Sequence, residues 1–131
     1  MAARRSQAGS PITTAWLAHP LFAAARERAD LSAALAAMVA GYPGQHWLGQ
    51  DPHQRARPPI DVLEGIAGPA LVAVGQRDVP GFREMSAVLA RRIPGAAYHV
   101  VADAGHMINM EQPAAVNDLL ISFVREASWN R

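Results

Sequence analysis

The stretch GPALVAVGQRD, residues 68–78, decides how this chain folds. Gly68 and Pro69 form a turn signal, and the run that follows, residues 70–74, is apolar on both faces, as strands buried inside a parallel sheet are. Asp78 comes shortly after this run. Helical spacing of apolar residues resumes beyond it, from Phe82 to Leu89. The stretch therefore predicts a buried strand and a helix, with an acidic side chain in the loop between them.

A second strand and a second helix follow in the same order. The sequence IPG, residues 93–95, ends the first helix, and YHVV, residues 98–101, reads as a strand. Pro113 begins the most regular helical pattern of the chain, whose apolar positions are Val116, Leu119, Leu120, Phe123 and Val124. Strand, helix, strand with short loops predicts a βαβ unit with parallel strands. The fold class is therefore α/β, with a final helix after the second strand.

Each predicted strand ends in a loop that holds an ionisable side chain, Asp78 in the first and His106 in the second. The carboxyl ends of parallel strands share one edge of the sheet, so these two side chains are expected to be neighbours. A carboxylate there can fix the tautomer of an imidazole and stabilise its protonated form. We interpret Asp103 as a residue that structures its loop and Glu111 as a favourable charge at a helix start. Gly105 is expected to allow a sharp turn.

The first half of the chain predicts short helices. Ser10 would cap one that runs to Leu17, Pro20 would open the next, and Asp30 would cap a third. The apolar face of that third helix consists of Leu31, Leu35, Met38, Val39 and Tyr42. Residues 45–59 read as a polar loop. We therefore divide the chain into a helical segment, residues 1–59, and an α/β segment, residues 60–131.

Composition narrows the function classes. Of the 131 residues 50% are hydrophobic and 18% charged, and the net charge of +1 favours neither nucleic acid nor an anionic membrane as partner. Without cysteine there is no disulfide, thiolate metal site or cysteine nucleophile, and a cytoplasmic location fits. His46, Asp51 and His53 match no strong metal-ligand spacing, so no metal is expected. The basic start faintly resembles a transit peptide, but an arbitrary start inside a longer reading frame is the simpler interpretation.

Several motifs in register resemble the C-terminal part of the α/β-hydrolase family. They are IAGPALVAVGQRD at 66–78, IPGA at 93–96, ADAGH at 102–106, EQP at 111–113 and Phe123. The stretches AWLAHPLF at 15–22 and QHWL at 45–48 are similar to the cap of lactonase- and esterase-like members. The resemblance implies the final βαβ-α portion of that fold after cap helices, with Asp78 orienting His106. It also implies a small ester or lactone substrate, a serine nucleophile activated by His106, and no metal or organic cofactor.

The serine is the point at which the sequence departs from that family. No Gly-x-Ser-x-Gly occurs, and in a full-length relative the nucleophile, the oxyanion hole and the first strands would precede Met1. Asp51, Ser86 and Ser10 are not credible substitutes.

Since independent sheets usually need three or more strands, the predicted sheet is incomplete. We expect the chain alone to be inactive. The alternatives are a non-catalytic interaction or regulatory module that pairs through its sheet edge, with itself or a hydrolase subunit, and a truncated gene product.

Overall fold

The computed structural model describes residues 11–42 and 59–129. The described helices of the first part are α1 (Pro11–Leu17), a 3-10 turn (Pro20–Phe22), α2 (Ala23–Arg26) and α3 (Ala29–Gly41). The second part contains a 3-10 helix (Pro59–Gly65), β1 (Leu71–Gly75), α4 (Pro80–Arg92), β2 (Ala97–Val101), α5 (Ile108–Glu111) and α6 (Pro113–Trp129). Ser10 and most of the predicted 45–59 loop, with His46, Asp51 and His53, lie outside the described residues.

The sheet is small and parallel, as predicted. Within the described residues it consists of β1 and β2, paired from Leu71 with Ala97 to Gly75 with Val101. Alternate residues of a strand point to opposite faces. Tyr98 and Val100 lie beside α4, while Val101 packs with Val116 of α6. Helices therefore lie on both faces of the strands, which is compatible with an α/β fold.

The helical segment has a core of its own, formed by Phe22, Ala25, Leu35 and Val39. Trp16, Leu17 and Met107 pack against this cluster. Because Met107 follows β2, the cluster joins the helical segment to the loop that carries His106.

One detail of the predicted third helix is wrong. Asp30 is not its cap, because α3 begins at Ala29 with Arg28 as the N-cap residue, and the Asp30 carboxylate accepts hydrogen bonds from the Arg28 guanidinium at 2.7 and 3.2 Å. The predicted apolar face is only partly buried, since Leu35 and Val39 belong to the core whereas Met38 and Tyr42 are exposed.

Burial of the α/β segment is incomplete within the described residues. The first three residues of β1 are half-buried, although the sequence predicts a strand buried on both faces. Residues 97–100 of β2 are exposed, as are Leu120, Ile121 and Val124 of α6. Among the described residues, therefore, only some of the apolar positions that the sequence pattern predicts as core are buried.

Candidate active site

The loops after β1 and β2 are joined by backbone hydrogen bonds. Gln76 N–H donates to the Val101 carbonyl at 2.9 Å, and Arg77 N–H donates to the Ala104 carbonyl at 2.8 Å. Asp78 N–H turns back to the carbonyl of Gly75 at 3.1 Å. These bonds fix the path of one loop against the other at the carboxyl edge of the sheet, where Asp78 and His106 emerge.

Asp78 and His106 are in direct contact. Nδ1 of His106 lies 3.0 Å from Oδ2 and 3.2 Å from Oδ1 of Asp78. The Asp78 side chain is only 5% exposed and that of His106 is 30% exposed. Val79 N–H also donates to Oδ1 of Asp78 at 2.7 Å, which fixes the carboxylate. The carboxylate thus engages Nδ1 and leaves Nε2 as the ring nitrogen for a reacting group.

Glycine is required at two positions by close approach of the backbone. A Cβ on Gly75 would lie 2.0 Å from the Gly105 carbonyl oxygen and 2.4 Å from that of Ala104. A Cβ on Gly105 would lie 2.7 Å from the Cβ of Ala24 in α2. The expected need for glycine at position 105 therefore has a different physical reason from a sharp turn, namely the packing of the helical segment against the histidine loop.

Phe82 belongs to this site, although no sequence motif marks it as a site residue. Its ring centroid lies 4.5 Å from that of His106, with the two planes tilted by 54°. Phe82 belongs to the first turn of α4, which starts at Pro80 directly after the acid loop. The sequence signal was only its helical spacing, which does not distinguish a core position from one beside an imidazole.

Glu111 has a different place from the one predicted. Its side chain is not a charge at the start of α6 but is buried beneath the histidine loop, with the residue 2% exposed. Its carboxylate accepts hydrogen bonds from the backbone N–H groups of Gly105 and Met107. The acceptors are Oε2 for Gly105 and Oε1 for Met107, the latter at 3.1 Å. The two donors flank His106 in sequence, so Glu111 binds the chain on both sides of the histidine.

The helical segment is also bonded to both loops by side chains. The Arg28 guanidinium donates to the carbonyl oxygen of Glu111, and the Arg77 guanidinium donates to the Glu27 carboxylate at 2.6 Å. The hydrogen bond to Glu27 is the main cause that raises the pKa of Arg77 above its ordinary value. Glu27 and Arg28 are adjacent, so one short segment after α2 contacts both strand-end loops.

The remaining candidates have other places in the structure. Asp103 is exposed, with a φ of 54°, and its N–H donates to Oε1 of Gln76 at 3.3 Å, which fits the predicted structuring of its loop. Ser86 is buried within α4.

Among residues 11–42 and 59–129 no three His, Asp or Glu side chains are arranged to hold a metal ion. No helix in that part of the chain is long and apolar enough to cross a membrane. The cytoplasmic location stays a prediction.

Comparison with known proteins gives a structural match to a lactone-degrading enzyme. No family model and no curated protein matches the chain. The chain is similar to the solved structure of Est816, described as an N-acyl homoserine lactone degrading enzyme, with a TM-score of 0.65 and 27% sequence identity. The match covers 90% of this chain and 53% of that one, so the chain spans about half the length of the solved structure it matches. This likeness is consistent with a segment of a lactonase- or esterase-like hydrolase.

Proposed function

We propose that this chain carries the acid and the histidine of an α/β-hydrolase that cleaves esters, lactones or related carbonyl substrates. The observation that carries the proposal is the contact of 3.0 Å between Asp78 and Nδ1 of His106 at the shared carboxyl edge of two parallel strands. The similarity to a lactone-degrading enzyme adds the substrate class. The serine nucleophile would come from outside these 131 residues.

In this mechanism Asp78 holds a proton on Nδ1 of His106, so that Nε2 is free to accept one. Nε2 takes the proton of the serine hydroxyl as its oxygen attacks the carbonyl carbon, and the negatively charged carboxylate stabilises the imidazolium that forms. The imidazolium then protonates the leaving oxygen, and the acyl–serine bond is cleaved by water, activated by the same nitrogen. The burial of Asp78 strengthens this interaction, because it limits screening by water. No step requires a metal or an organic cofactor.

We also propose the division of the chain into a cap-like helical segment, residues 1–59, and a core segment, residues 60–131. The contacts of Glu27 with Arg77 and of Arg28 with Glu111 support it, because they place the helical segment against the two loops that bear the pair. In the proposed function, a cap-like segment bonded to both loops would contribute to substrate selection.

The test begins with the nucleotides upstream of Met1. The proposal expects an in-frame Gly-x-Ser-x-Gly that follows a predicted strand, and the extended protein should hydrolyse p-nitrophenyl esters and N-acyl homoserine lactones. His106→Ala and Asp78→Asn should each lower kcat by about 10³-fold or more, with smaller effects on KM. His99→Ala and Asp103→Asn are matched controls, since both residues are exposed and lie outside the proposed acid–histidine pair. An active protein indifferent to His106→Ala would refute the proposal.

A second candidate is a non-catalytic interaction module. Its support is the sheet itself, because within the described residues β1 is hydrogen-bonded to β2 alone and has one edge without a strand. Such a module would pair with a second copy or with a hydrolase subunit. A monodisperse oligomer with a cooperative melt, measured by light scattering and calorimetry, supports this function; aggregation or a non-cooperative melt opposes it.

A further inference from the structure

We propose that Glu111 is a positioning residue that fixes His106 in the rotamer and tautomer that Asp78 recognises. It acts through the backbone of the histidine loop and not through contact with a substrate. The importance of this role for catalysis rests on the proposed hydrolase function. The role itself is the positioning of the His106 imidazole, which can be measured in this chain without any activity.

The geometry of the Glu111 carboxylate is specific to the histidine loop. One oxygen accepts from Gly105 N–H and the other from Met107 N–H, so His106 lies between two fixed peptide groups. With both neighbours held, rotation of the backbone at His106 is restricted. Rotation about its side-chain bonds is in turn restricted by Phe82 on one side and Asp78 at Nδ1.

Burial shows that this carboxylate is more than a surface hydrogen-bonding group. Glu111 is 2% exposed and is one of the largest fully buried side chains of the described residues. Placing a carboxylate in such a position is costly unless hydrogen bonds satisfy it, and no buried side-chain nitrogen or oxygen among the described residues lacks a partner. Bonds from N–H groups to a carboxylate are stronger than bonds between neutral groups. An apolar side chain would fill the space but leave the buried Gly105 N–H without an acceptor.

Glu111 is itself held in place by the helical segment. Arg28 donates to its carbonyl oxygen, and Ala24 lies so close to Gly105 that no side chain fits between them. His106 is therefore held through a series of contacts that runs from the helical segment to Glu111 and from Glu111 to the histidine loop. Movement of the helical segment would reach His106 through this residue.

The experiment uses the chain itself and compares Glu111→Gln and Glu111→Ala with a matched control, Glu126→Gln, at an exposed glutamate of α6. Two quantities are measured by NMR: hydrogen exchange of the Gly105 and Met107 amides, and the ¹⁵N shifts of the His106 ring, which report the tautomer. Glu111→Gln keeps the shape and one acceptor oxygen, so it remains informative if Glu111→Ala does not fold.

We expect Glu111→Gln to speed exchange of at least one of the two amides by about tenfold or more. We also expect the ring shifts of His106 to move from those of one tautomer toward an average of two, while Glu126→Gln changes neither quantity. Unchanged ring shifts beside faster amide exchange would overturn the proposal, because Glu111 would then support the loop without positioning the imidazole. No change in either quantity would overturn it too. Failure of the extended protein to hydrolyse any ester would refute the hydrolase function and leave this result unaffected.

Discussion

Gly75 and Gly105 meet backbone to backbone, so closely that a Cβ on Gly75 would lie 2.0 Å from the Gly105 carbonyl oxygen. Gly75 is the last residue of β1 and Gly105 precedes the histidine. The contact of Asp78 with His106 therefore depends on two strand-end loops that have no side chain between them. This close approach places an acid and an imidazole from separate strands within hydrogen-bonding distance.

We expect Gly75→Ala to destabilise the protein and separate the pair. The obstructing atoms are backbone carbonyls that cannot rotate away, so the loops must move, at a cost of about 1–3 kcal/mol in the free energy of unfolding. Chemical denaturation measures that loss. Gly81→Ala in α4 is the control, since no atom of the described residues lies within 4 Å of its added Cβ, and it should stabilise by about 0.5–1 kcal/mol. Equal stability of Gly75→Ala and the wild type would show that the loops do not approach so closely.

We expect Phe82→Ala to loosen His106. Loss of a half-buried aromatic ring should lower the free energy of unfolding by about 1–3 kcal/mol and remove the ring that packs on the imidazole. Broadened or averaged His106 ring signals would report the increased motion. Met85→Ala, at an exposed position of the same helix, should leave those signals unchanged. If both variants give the same His106 spectrum, Phe82 has no part in holding the imidazole.

The ion pair of Arg92 with Glu64 predicts a pH dependence away from the site. Nε of Arg92 lies 2.5 Å from Oε1 of Glu64. This hydrogen bond lowers the pKa of Glu64 below its ordinary 4.5. Because the folded-state pKa is lowered, the stabilisation is present above about pH 4.5 and is lost as the pH falls through the folded-state value. Arg92→Gln should raise the Glu64 pKa toward 4.5, as carboxyl ¹³C titration would measure, whereas Arg91→Gln should not. A Glu64 pKa indifferent to Arg92→Gln would contradict the pairing.

The isolated chain should show no serine-hydrolase turnover above background. In the proposed mechanism His106 and Asp78 move a proton, but the chain contains no Gly-x-Ser-x-Gly to supply the attacking oxygen. Hydrolysis of p-nitrophenyl acetate before and after His106→Ala measures this, with His99→Ala as the control for slow cleavage by surface histidines. Strong activity that His106→Ala alone abolishes would contradict the expectation.

The sequence predicted most of the α/β segment because its signals are local. Turn residues, an apolar run and helical spacing define β1, α4, β2 and α6 within a residue or two, and parallel strands bring their following loops to one edge. Asp78 and His106 could be anticipated for that reason. The structure adds their distance and the atoms involved, which no spacing provides.

Glu111 and Phe82 could not be anticipated in the same way. The partners of Glu111 are backbone N–H groups, which carry no residue-type signal, and its position before a proline fits a helix start equally well. Arg28 is far from Glu111 in sequence, and an exposed arginine gives no indication of its acceptor. Residue type alone predicts Asp30 as a cap, whereas its carboxylate accepts a hydrogen bond from Arg28. Such long-range polar contacts depend on tertiary placement.

The tautomer of His106 is the most direct test of the central claim that Asp78 orients this histidine for catalysis. When the imidazole is neutral, its ring ¹⁵N shifts should show a proton on Nδ1 and none on Nε2. Asp78→Asn should abolish this single-tautomer signature, and Asp103→Asn should preserve it. A wild-type His106 with its proton on Nε2, or ring shifts that do not change in Asp78→Asn, would show that Asp78 does not orient this histidine.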